Sequence, residues 1–210
     1  MPQVSMAEIA CGALKGIIKA QKEYEKWSGG EWLWCAPEYF STVFVAQEIV
    51  KLEGAKCVTV ENSARSAMDD AGAMGRGRLH GKIRANGRFD ILLWWAADET
   101  PRAPIEVKCQ VAGIGKIKTD LQRIEKVLHR NKAASSFQFG VVVFYTSCRD
   151  GKGISAKDKL VKRIERIKGD CGQLIQSCTV QVTSSRIYTD GDSAWTASAI
   201  ILKPIANPNK

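Results

Sequence analysis

The stretch RFDILLWWAADETPRAPIEVKCQV, residues 88–111, sets charged side chains into two strongly apolar segments. In its second half Ile105, Val107, Cys109 and Val111 alternate with Glu106, Lys108 and Gln110. Successive side chains of a strand point to opposite faces, so one face is wholly apolar and the other wholly polar. In the first half Asp90 shares a face with Arg88, Leu92 and Trp94. A turn centred on Asp98 places Asp90 directly opposite Glu106. Like charges facing each other on paired strands are destabilising, and charge is costly in strands apolar enough to lie mid-sheet. A divalent cation removes both difficulties by taking the two carboxylates as ligands. With Lys108 alongside, these residue types suit metal-assisted cleavage of a phosphodiester. A solvated salt-bridge face is the plain alternative.

The surrounding pattern supplies elements to hold them. Apolar residues recur at helical spacing over 5–27, and Ser28-Gly29-Gly30 ends that run. APEYFSTVFVAQEIVKLEG, 36–54, reads as a second helix, with Pro37 and Glu38 in its first turn and Gly54 at its end. KCVTVE, 56–61, is a short β-branched strand, and the polar stretch 62–86 a long, mobile connection. Strands follow over 88–95 and 104–111. A helix over 116–131 then buries Ile117, Leu121, Ile124 and Leu128. FQFGVVVFYT, 137–146, is the continuous apolar run of a strand buried on both faces. A surface helix over 155–168 and further strands close the chain, the last two forming a hairpin at Asp190-Gly191. IANPNK, 205–210, reads as a free tail.

Charge narrows the choice of partner. A net charge of +9 over 210 residues points to a polyanion or an acidic membrane surface. Residues 71–89 hold Arg76, Arg78, Lys82, Arg84 and Arg88 without a single acid, interleaved with glycines. Unpaired cations repel unless phosphate offsets them, so this segment is the candidate nucleic-acid contact. Two other basic stretches, 116–132 and 157–168, are mixed with acids and read as solvated faces. Lys118 and Arg123 in the former fit a phosphate contact and plain solvation equally well. With only His80 and His129 present, a histidine-rich metal site is excluded. No run of about 18 apolar residues suggests a membrane span, and the N-terminus lacks the pattern of a signal peptide. Seven scattered cysteines read as reduced, mostly buried thiols, which fits a cytoplasmic protein. The six tryptophans read mostly as core or interface.

The spacing Asp90…Glu106-Val107-Lys108, on the second and third strands of a helix–strand–strand–strand–helix–strand order, resembles the PD-(D/E)xK nuclease superfamily. Phe89 stands where the superfamily's name has proline. The resemblance implies an α/β fold with a restriction-endonuclease-like αβββαβ core over about 37–146, its central mixed sheet flanked by helices. The N-terminal helix (1–30) and the C-terminal helix and strands (152–210) would be additions within one domain. It further implies Mg²⁺, with Mn²⁺ substituting, held by Asp90, Glu106 and the Val107 carbonyl. Lys108 would orient water and offset charge on phosphorus, and Gln110 would position water or a phosphate oxygen. Glu38 is the acid the preceding helix would contribute, with Glu48 second. The substrate would be nucleic acid, DNA before RNA, and a homodimer is implied because many members cut both strands as dimers. A separate protein for targeting or inhibition also fits.

Two other readings stand beside the nuclease. One is a nucleic-acid-binding module of the same fold without chemistry. The other is a basic interaction protein with an acidic partner.

Overall fold

Residues 3–54 and 56–205 are described by a computed structural model. Helix α1 (Met6–Ser28) begins where the Ser5 hydroxyl accepts from the Glu8 amide and the Glu8 carboxylate accepts from the Ser5 amide. This reciprocal cap satisfies two donors that a helix start leaves open. Gly29, in the left-handed region at φ 74°, ends the helix. Buried Gln21 accepts from the Leu33 amide and so fixes the short turn that leads into α2 (Glu38–Val50). The two helices cross at Gly16, where an added Cβ would lie 2.4 Å from the Val45 Cα and 2.9 Å from the Phe44 carbonyl. Gly54 plays no capping part; α2 ends at Val50 with Lys51 as its cap.

Seven strands make one mixed sheet in the order β1-β2-β3-β4-β7-β5, with β6 added along β7. Strands β1 (Lys56–Ser63), β2 (Arg88–Trp95) and β3 (Pro101–Lys108) run antiparallel. Helix α4 (Lys118–His129) then crosses over, so that β4 (Gly140–Arg149) lies parallel to β3. Helix α5 (Ala156–Leu174) precedes β5 (Cys178–Ser184), β6 (Tyr188–Asp190) and β7 (Ser193–Pro204). The expected hairpin at Asp190-Gly191 joins the last two.

The sheet has a core on each face. Helices α1 and α2 cover one, over Ile91, Ile105, Val107, Val141 and Val143. The other lies over Leu92, Val142 and Phe144 beneath α4, α5 and the short helix α3 (Ala64–Asp70). Alternate residues of β4 thus enter opposite cores, as its unbroken apolar run requires. No helix among the described residues is long and apolar enough to cross a membrane.

Several expectations need correcting. The connection 62–86 contains α3 and a 3₁₀ turn at Gly81–Ile83. Strand β3 starts and ends three residues before the expected 104–111. Its two prolines are accommodated, Pro101 at the start and Pro104 opposite Leu92. The cysteines, all free, are not mostly buried: Cys11, Cys35 and Cys57 are exposed, and only Cys171 and Cys178 are fully buried. Trp27 and Trp34 are exposed as well. The expected tail, apart from Ile205, lies outside the described residues.

Because the Gly16 contact is backbone against backbone, Gly16→Ala should force α2 away from α1. The expected loss is about 1–3 kcal/mol, the usual cost of overpacking, read as a lower urea midpoint with an unchanged slope. A midpoint equal to wild type would show that the crossing has slack.

Candidate active site

Everything expected of the two strands depends on their register. Ile91 pairs with Ile105 and Leu92 with Pro104, so one further step brings Asp90 beside Glu106. A bulge at Leu93/Trp94 shifts the pairing only toward the turn. The two carboxylates are partnered differently. Asp90 Oδ2 accepts from the Val107 amide at 2.7 Å. Glu106 Oε1 accepts from Arg123 Nη1 at 2.8 Å, and both side chains are almost fully buried.

Lys108 gathers the remaining acids. Its Nζ lies 2.8 Å from Glu38 Oε1, 3.5 Å from Asp90 Oδ2 and 3.9 Å from Asp120 Oδ2. It also donates to the Val107 carbonyl at 2.9 Å. The other oxygen of Glu38 accepts from the Cys109 amide. A residue 70 positions away is thereby tied to the end of β3 from both carboxylate oxygens. Glu48, the second candidate, pairs with Lys19 and Lys51 instead.

Two members of the cluster escaped sequence reasoning, and both come from α4. Asp120, in its first turn, is buried beside Lys108 and is also reached by Arg84 at 3.6 Å. Arg123 is neither solvated nor an exposed phosphate contact. Its Nε donates to the Ile83 carbonyl, its Nη1 to the Arg88 carbonyl and to Glu106, and its guanidinium lies over the Phe89 ring. Lys118 is exposed. Both missed residues sit one helical turn apart, on the side of α4 that meets the sheet. That spacing was the available signal, masked by the basic residues around it.

Gln110 departs from its expected place. Strand β3 ends at Lys108, and Gln110 takes a left-handed backbone with φ 53°. The alternation that put it on the Lys108 face no longer applies there. Its Oε1 accepts from Ser147, and it borders a separate hollow with Trp32 and Trp34.

The electrostatics follow from crowding. Burial, and then the charge of Asp90, push the Glu106 carboxyl up to about 8, against the opposing pull of Arg123. Burial also raises Asp120, with Lys108 opposing. For Lys108 burial acts to lower the pKa, but Asp90, Glu38 and Asp120 together outweigh it and hold the ammonium above its ordinary value. Four carboxylates (Glu38, Asp90, Glu106, Asp120) thus meet three cations (Arg84, Lys108, Arg123). One negative charge is left over when all are ionised.

No protein-family model, curated protein or solved structure matches the chain. Among the described residues no group of three or more His, Cys, Asp or Glu side chains is arranged to hold a metal ion. The donor chemistry nevertheless suits a hard cation. Asp90, the Val107 carbonyl and Glu106 offer only oxygen, and the Lys108 ammonium already draws on Asp90 and Val107.

Two of the basic residues adjoin this cluster, Arg84 beside Asp120 and Arg88 two positions before Asp90. Arg76, Arg78, Lys82, Arg84 and Arg88 are all exposed, in or just after the segment that joins α3 to β2. Arg130, just past α4, donates to the carbonyls of Met74, Arg76 and Gly77, and Arg123 holds those of Ile83 and Arg88. The cations therefore project from a backbone pinned from behind. Arg88 also lies 3.8 Å from Glu61.

The raised Glu106 carboxyl has a measurable consequence. Its neutral form favours the folded state, so that contribution is complete below the ordinary value of 4.5 and is lost as pH rises to about 8. In buffer with chelator, wild type should lose stability across that window relative to Glu106→Gln, by at most about 1.4 kcal/mol per pH unit for one proton. Urea midpoints that run parallel with pH would show that Glu106 titrates normally.

Proposed function

We propose that this chain is a Mg²⁺-dependent nuclease with a restriction-endonuclease-like core, acting on DNA in the cytoplasm. The observation that carries the reading is the juxtaposition of Asp90, Glu106 and Lys108 at the start of β2 and the end of β3, with Lys108 Nζ 3.5 Å from Asp90. Three antiparallel strands followed by a crossover helix and a parallel fourth strand support the same reading.

Asp90, Glu106 and the Val107 carbonyl would hold the cation, and Glu38 approaches the same end of β3. A bound Mg²⁺ would make a coordinated water more acidic and neutralise charge on the phosphate. Lys108 is kept protonated by its three acidic neighbours, which makes it a poor base and a good fixed charge. Placed beside a phosphate oxygen, it stabilises negative charge that builds during displacement. Glu106 is the group in the cluster that gains and loses a proton near pH 8. Arg123 keeps that carboxylate oriented from behind and needs no contact with substrate. Exposed Arg76, Arg78, Lys82, Arg84 and Arg88 would carry the backbone phosphates past the cluster and make binding depend steeply on salt.

A second reading has its own support. Lys108 and Arg123 already answer most of the carboxylate charge, which suits a binding module that needs no cation.

Labelled plasmid, linear duplex, single-stranded DNA and RNA should be incubated with Mg²⁺, Mn²⁺ or chelator. Metal-dependent cutting, reduced at least about 100-fold by Asp90→Ala and by Lys108→Ala, is the expected result. Salt-dependent binding without cutting would select the binding module. Absence of both would leave an acidic protein partner as the better reading. Replacing Arg76, Arg78, Lys82 and Arg84 by Ala should weaken binding uniformly across sequences and flatten its salt dependence. Retained affinity in that variant would move the interface elsewhere.

A further inference from the structure

Strand β3 ends in the carboxylate–lysine cluster, but it begins with a different kind of charge. Arg102 is 3 % exposed, yet among the described residues it forms no ion pair. Its Nε donates to Gln138 Oε1 at 3.3 Å, while Nη1 has no partner. The guanidinium stacks 4.1 Å from the Trp95 ring and 5.3 Å from that of Phe139. Aromatic faces offset part of the cost of burying a cation. They do not supply the acceptor that a guanidinium loses on leaving water. Arg123, equally buried, is better partnered, holding a carboxylate and two carbonyls, although its Nη2 also has no partner.

Arg102 borders a cavity of about 610 Å³, together with Lys132, Lys203, Gln138, Phe137 and Met6. Three cations line it, and no carboxylate does among the described residues. The volume falls in the range of small-molecule sites. Its walls combine cations with apolar surface, which suits an anion carried on an apolar or aromatic body. Arg102 and Lys108 stand at opposite ends of β3, roughly 20 Å apart at the rise of a strand.

We propose that this cavity binds a small phosphate-bearing ligand of about mononucleotide size, with Arg102 as its buried anchor and Lys132 and Lys203 at its mouth. The guanidinium offers paired donors to phosphate oxygens, and the lysines offer point charges. The site is independent of the carboxylate–lysine cluster and stands whether or not that cluster cleaves nucleic acid.

Calorimetric titration of the full chain with inorganic phosphate, with AMP and with a short DNA duplex tests this. Phosphate and AMP should bind saturably, AMP more tightly, and AMP should raise the melting temperature. Arg102→Met should weaken both by about tenfold or more, the usual effect of losing a charge-assisted contact. The surface pair Lys132→Ala/Lys203→Ala should weaken them too, and decides the matter where Arg102→Met does not fold. Arg76→Ala/Arg78→Ala should leave AMP binding intact, which separates this cavity from the basic segment. No binding of phosphate or AMP, binding unchanged in both variants, or loss of duplex binding alone would each overturn the proposal.

Discussion

Glu106 is a carboxylate placed inside a sheet, and the local structure is arranged around that fact. A buried carboxylate needs a cation, a proton or both. Arg123 supplies the first, and the upward shift of Glu106 brings the second within the neutral range. From α4 the Arg123 side chain extends to Glu106 near the end of β3, and Asp120 meets Lys108 as well. The repulsion expected between Asp90 and Glu106 is therefore real, and the chain answers much of it with its own lysine and arginine. When all four carboxylates are ionised, what it leaves is one negative charge, in a place that offers only oxygen donors.

Much of this was legible in the sequence. Strand alternation alone placed Asp90, Glu106 and Lys108 on one face, and the Asp98 turn gave the register the structure has. Glu38 came from the resemblance, as the acid the preceding helix would contribute, although a carboxylate at a helix start has a local reason to exist. Asp120 and Arg123 were not found. On an amphipathic helix a polar residue beside the apolar stripe looks like surface, and only the approach of β3 turns these two inward. Gln110 was misplaced because alternation holds only while the backbone stays extended, and a left-handed residue ends it. Helix α3 was missed for a related reason: seven residues are too few to show a helical period.

The basic segment shows how charge and order are separated. Its cations face water, where they cost little. Its main-chain carbonyls face inward onto the guanidinium groups of Arg123 and Arg130. A stretch rich in glycine and arginine reads as loose in sequence, because hydrogen bonds donated from more than 30 residues away leave no local trace.

Helix α4 and the residue after it hold three connections at once: Asp120 to Lys108, Arg123 to Glu106, and Arg130 to the basic segment. A rigid rod carrying three attachments makes their energetics interdependent. Substitutions at the acidic cluster and in the basic segment act on this one body, and the Arg84–Asp120 pair joins the two directly. Their combined effects need not equal the sum of the separate ones, because residues linked through a common element couple. The chain thus ties the two regions together through a single helix as well as through one ion pair.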